Sequence, residues 1–130
     1  MSFPRHVEVD LPFEQAVEEV KAALAEQGFG ILTEIDLSKT LHDKLDVEVP
    51  PQVILGACNP QLAHRALQIE PRVATLLPCN VVVRVHHGHT VVDALDPALL
   101  ATVSESSGLD DIAAEAATGV KAALDRLANR

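Results

Sequence analysis

Tyrosine and tryptophan are absent and phenylalanine occurs three times, so aromatics make up 2% of the 130 residues. Nucleobases would find no stacking platform here, and the core has to be built from Val, Leu, Ile and Ala. Basic residues are also scarce: 10 Lys and Arg stand against 19 Asp and Glu, a net charge of −9. An acidic chain repels phosphate backbones, which argues against nucleic acid as a partner. No apolar run reaches the roughly 18 residues that a membrane span needs. The first ten residues, MSFPRHVEVD, contain no apolar signal core, so no membrane partner is expected and the cytoplasm is the expected location. Cysteine is limited to Cys58 and Cys79, too few for a disulfide scaffold, and both are expected to be reduced. No Gly-rich phosphate loop, nucleophile elbow or HExxH is present. Ser104, Ser106 and Ser107 read as a loop and a helix cap, not as nucleophiles. With no repeat, low-complexity tract or linker, residues 1–130 read as a single domain.

What is present is well patterned: 48% of the residues are hydrophobic and 22% charged, a globular balance. Residues 5–10 alternate as a short strand. Pro12 suits the first turn of a helix whose apolar positions are Ala16, Val17, Val20, Ala23 and Leu24, and Gly28 is its natural stop. A strand over 30–37 follows, with Ile31, Thr33, Ile35 and Leu37 on one side. Ser38 is placed to cap a short helix reaching Leu45. After a connector ending in Pro50-Pro51, residues 52–58 form a strand that is apolar on both sides.

Asn59-Pro60 is a helix start, cap then first turn, and Leu62, Ala63, Ala66 and Leu67 are its expected buried side. Pro71 ends that helix, and residues 73–77 fit either a turn or a strand lead-in. The strand over 79–86, rich in β-branched residues, turns at His87-Gly88 into a second strand over 89–96. Residues 97–104 suit one or two helical turns. Ser107 and Asp110 have capping-box spacing before a last helix whose stripe runs from Leu109 to Leu127.

The order β-α-β-β-α-β-β-α predicts an α+β fold with a single, mainly antiparallel sheet and helices packed on one face. Its first six elements have the split βαβ order of ferredoxin-like folds. Leu55, Ala57, Val81, Val83 and Leu67 are the expected centre of the core. Val82 and Val92 are expected on the sheet's open face, where an apolar surface would make a two-fold homodimer.

GFGILTEIDL (28–37), GACNP (56–60), AHRAL (63–67), LLPCNVVVR (76–84) and Asp96-Pro97 together resemble the bacterial and archaeal family called domain of unknown function 302. The likeness covers roughly Phe13 to Leu100. It implies a compact α+β domain, found alone or fused to others, with no agreed activity. HHGH, 86–89, is not part of that pattern.

The best candidate site is the stretch 51–86, where Cys58-Asn59 ends one strand and Cys79-Asn80 begins another. If the strands are antiparallel neighbours, both thiols lie at one edge of the sheet. Cys58 also precedes a helix N-terminus, which lowers a thiol pKa, so the pair could act in redox or soft-metal chemistry. Against this, free cysteines are often small buried hydrophobes. Asn59 doubles as a helix cap, Asn80 can serve a turn or a pocket, and His64 lies one turn into the helix as a ligand or a plain surface residue. His86, His87 and His89 resemble a metal cluster, yet Gly88 places them at a hairpin tip.

Three readings follow. The first is binding or sensing of a small molecule at Cys58, Asn59, His64, Cys79 and Asn80. The second is thiol or metal handling by Cys58 and Cys79, with His87 and His89 as weaker metal candidates. The third is a homodimeric interaction module. No motif specifies a cofactor or a reaction, and a binding role is preferred to an enzymatic one.

Overall fold

A computed structural model describes residues 5–102 and 108–129. Five strands form one sheet in the order β1-β5-β4-β3-β2, antiparallel throughout. They are β1 (Arg5–Val9), β2 (Gly30–Asp36), β3 (Gln52–Cys58), β4 (Cys79–His86) and β5 (His89–Ala94). The helices are α1 (Phe13–Glu26), α2 (Leu37–Leu45), α3 (Pro60–Ile69) and α4 (Gly108–Ala128), with 3₁₀ turns over Pro71–Leu76 and Pro97–Thr102. The α+β expectation holds, with α2 interposed in the expected order. The ferredoxin-like expectation does not. The strands that flank α1 lie at opposite edges, three strands apart, because the β4–β5 hairpin supplies the edge on which β1 docks.

Register assigns the two faces. Val53, Leu55 and Ala57 of β3 stand opposite Val83, Val81 and Cys79 of β4, and Val83 stands opposite Val92 of β5. Period-two alternation keeps all of these on one face, where α1 and α4 cover them in a single cluster that also holds Val20, Val120 and Leu127. Leu55, Ala57, Val81 and Val83 are therefore buried as expected. Val92 is too, which corrects its expected place on the open face. Val91, one residue earlier, lies on that other face opposite Arg84.

Two expectations fail for local reasons. Leu67 is exposed, since α3 turns its Leu62–Ala66 side inward and leaves Leu67 about 100° round the helix from Ala66. In β2 the register shifts between Ile31 and Thr33, leaving Leu32 as the extra residue of a bulge. Ile31 then pairs with Ala57, whereas Thr33 and Ile35 pair with Gly56 and Ile54 on the opposite face. Ile31 and Ile35 accordingly do not share a side.

Caps complete the frame. Asp36, not Ser38, caps α2: its carboxylate accepts from the Lys39 N–H at 2.9 Å and from the Ser38 hydroxyl at 2.7 Å. Gly28 ends α1 at φ +85°, with its own N–H donating to Ala25 O and that of Phe29 to Leu24 O, both at 3.0 Å. That paired pattern needs a left-handed residue, the conformation glycine adopts without a Cβ penalty. His87 and Gly88 both have positive φ, the twisted two-residue turn that hairpins favour. The capping pair expected at Ser107 and Asp110 involves a residue outside the described ones.

Candidate functional site

The end of β3, the start of α3 and the start of β4 come together at one corner. Pro60 opens α3 and Asn59 caps it, accepting from the Leu62 N–H at 3.2 Å. Cys79 stands opposite Ala57, one position from Cys58, and both cysteines are free thiols. The α1 stop turn directs Phe29 to the same corner. Together Phe29, Cys58, Asn59 and Cys79 line a cavity of about 20 Å³ whose remaining wall includes Leu62 and Ile112. That space holds about one water molecule.

The cavity lies at a seam. On one side is the cluster between the sheet and α1/α4, including Phe29, Ala57 and Ala116. On the other is a smaller cluster of Ala66, Val73, Leu100, Leu109, Ile112 and Ala113, built from α3, both 3₁₀ turns and the start of α4. Residues from both clusters line the cavity, and Leu62 packs on both.

Electrostatics reverse the expectation for Cys58. Burial pushes its thiol up, and nothing at the α3 N-terminus offsets this. Burial pushes Cys79 up as well, and the neighbouring Cys58 adds to the rise. Both cysteines should therefore react with a thiol-exchange reagent at pH 8 more slowly in the native protein than in denaturant, because the folded chain holds less thiolate. Stopped-flow labelling with and without denaturant measures this. A native rate equal to or faster than the denatured one would mean an activated thiol.

Of the expected site residues, Cys58, Asn59 and Cys79 meet. His64 is exposed on α3, and Asn80 is exposed on the far side of the pleat, opposite Gly56; neither lines the cavity. Phe29, Leu100 and Ile112 were not expected there. The GFG run at 28–30 was the one available signal, since a glycine stop fixes the direction of the residue after it.

The hairpin histidines stay close, with the His86 and His87 rings edge-on at 4.0 Å, without forming a ligand set. His86 and His89 face each other across the hairpin, His87 takes the turn, and His89 Nδ1 lies 2.9 Å from Glu8 Oε1. Among the described residues, no three His, Cys, Asp or Glu side chains converge as a metal site requires. On the open face, Asp93 joins His6 Nδ1 at 2.5 Å and Arg84 Nε at 2.7 Å. Burial would raise the Asp93 carboxyl, but these two partners outweigh it and hold it below the usual carboxylate range.

This is an α+β protein whose antiparallel sheet carries helices on one face and closes a cysteine-lined corner. The chain belongs to the family described as Domain of unknown function DUF302, which it matches over residues 5–127. It is similar to the crystal structure of an uncharacterized conserved DUF302 protein from Bacillus stearothermophilus. The two share 31% identity and a TM-score of 0.90, over 98% of this chain and 99% of that one. No curated protein matches the chain. No helix among the described residues is long and apolar enough to cross a membrane.

Proposed function

We propose that the chain, acting as one domain, binds a small and mostly apolar molecule at the seam lined by Cys58, Asn59 and Cys79. The observation that carries this reading is the position of the cavity between two separate apolar clusters. A ligand there needs only to part the clusters, whereas within either one it would have to break close packing. The lining selects for shape and low polarity: Phe29, Leu62, Leu100 and Ile112 offer no charge, and the Asn59 side-chain oxygen is already engaged. Thiol chemistry has less support, since both thiols are held in the neutral form at physiological pH.

Methyl-resolved NMR with xenon, benzene and hexanol as probes tests the proposal. Saturable shifts are expected at Ala57, Ala63 and Ala116, and Ala116→Leu, which fills the cavity, should remove them while leaving the fold intact. Uniform, unsaturable shifts, or identical behaviour of the Ala116→Leu protein, would defeat the reading.

A further inference from the structure

The polar groups of the seam cavity are few and of one kind. Cys58, Asn59 and Cys79 are its only polar side chains, and the rest of the lining is Ala, Leu, Ile and Phe. Asn59 brings one acceptor, Oδ1, and two donor hydrogens on Nδ2. Oδ1 accepts from the Leu62 N–H at 3.2 Å. That bond fixes the orientation of the amide, since the opposite one would set two donors against each other. The backbone carbonyl of Asn59 is taken as well, by the Ala63 N–H at 2.9 Å. Ala57 lies in a strand paired on both sides, with Ile31 and with Cys79. The acceptors of Asn59 are thus engaged within the fold.

Its donors are not. Among the described residues no acceptor holds either Nδ2 hydrogen. The amide lies against the stop turn of α1: a Cβ added to Gly28 would stand 3.1 Å from Nδ2, and the next residue, Phe29, is itself part of the cavity wall. Burial pushes both thiols up, so each keeps its proton and is a further, weaker donor. A molecule entering the seam therefore meets N–H and S–H donors and no free side-chain oxygen.

We propose that the molecule bound at the seam is a small ketone or ester, with acceptor oxygen and no donor, whose oxygen takes the Asn59 Nδ2–H while its hydrocarbon part lies between the two clusters. This identity rests on the ligand reading above and narrows it. An alcohol or amine of the same size fits the same space but brings a hydrogen with only thiol sulfur, a weak acceptor, to receive it, and an unpaired buried donor is costly. A carboxylate brings a charge that no cation of the lining balances. A plain hydrocarbon leaves the Nδ2–H without a partner.

Cyclohexanone, cyclohexanol and benzene are rings of similar size that separate these cases. In methyl-resolved NMR titrations of the full chain, cyclohexanone should bind about tenfold more tightly than cyclohexanol, the ratio that one lost hydrogen bond is worth. Asn59→Asp keeps the helix cap, because Asp and Asn cap equally well, but exchanges the Nδ2 donors for a carboxylate oxygen. It should weaken cyclohexanone by roughly tenfold more than it weakens benzene, and it should reverse the order, so that cyclohexanol binds better than cyclohexanone. Equal affinities of the wild-type chain for the ketone and the alcohol would overturn the inference, and that comparison needs no variant to fold. An Asn59→Asp protein that loses benzene and cyclohexanone to the same degree would also overturn it, by making Asn59 part of the frame and not a donor. If benzene and xenon fail to bind the wild-type chain, the seam reading itself falls and the ketone assignment with it. Benzene binding without a preference for the ketone removes the assignment alone.

Discussion

Val83→Asp should abolish the cooperative thermal transition. Val83 is fully buried, stands between Val53 and Val92, and faces the helices across the core. No cation of the described chain lies on that face of β3, β4 or β5: Arg84 points the other way and is held by Asp93. A carboxylate there has no partner, and stranding one in an apolar interior costs several kcal/mol even after it takes up a proton. Small proteins have only about 5 to 15 kcal/mol in total. Val82→Lys is the matched control: Val82 is half-buried on the opposite face and pairs with Asp93, so this variant should melt close to the wild type. A Val83→Asp protein with a normal melting curve would show that the face assignment is wrong.

The second large effect is expected from one missing side chain. At Gly56 an added Cβ would lie 2.2 Å from Thr33 Oγ1 and 2.7 Å from Pro78 Cγ. Neither neighbour can retreat easily, because Thr33 sits in a paired strand and Pro78 is a ring just before β4. Gly56→Ala should therefore cost about 3 kcal/mol, the upper part of the range for overpacking. This corresponds to a fall of roughly 10 °C or more in melting temperature. Thr33→Ala removes the closer contact, so the double variant should regain part of the loss, with a coupling of about 1 kcal/mol in the double-mutant cycle. Additive losses would mean that Thr33 is not what excludes the methyl group.

Strand β4, the His87-Gly88 turn, the Asn59 cap and the stripe of α4 were legible because each follows from local chemistry: β-branched residues, a left-handed turn, a side-chain acceptor and helical periodicity. Leu32 shows where local reading stops. Alternation along 30–37 is regular in the sequence, and only pairing with β3 reveals that one residue is extra. Ser38 and Asp36 are both capable caps, and the choice between them depends on where β2 ends. Val92 was misplaced although the His87-Gly88 turn was read correctly: that turn pairs Val92 with Val83 and not with Val82, and one step moves a side chain to the other face.

The candidate site divided in the same way. Cys58 and Cys79 met because their strands are neighbours, but His64 and Asn80 were grouped with them by closeness in sequence, and a helix turn and a pleat separate them in space. The rise in the thiol pKa values could not be read from the helix N-terminus alone, because burial depends on α4 and on the 3₁₀ turn over Pro97–Thr102.

The position of β1 bears on the order in which the chain can assemble. Arg5 pairs with Ala94 and Val9 with Thr90, so the first strand of the sequence joins the sheet only beside the last. Local pairings such as β4 with β5 close short loops, whereas this one spans every element from α1 to β4, and such non-local contacts form late and slow folding. During synthesis β1 emerges before its partner strand and has to wait for residue 94. Until then α1 is tethered at one end only, and once β5 has formed its outer edge offers unpaired N–H and C=O groups to any other strand nearby. Strand β1, Arg5–Val9, therefore acts as a closing seal for the sheet, and a chain lacking it would keep that edge open permanently.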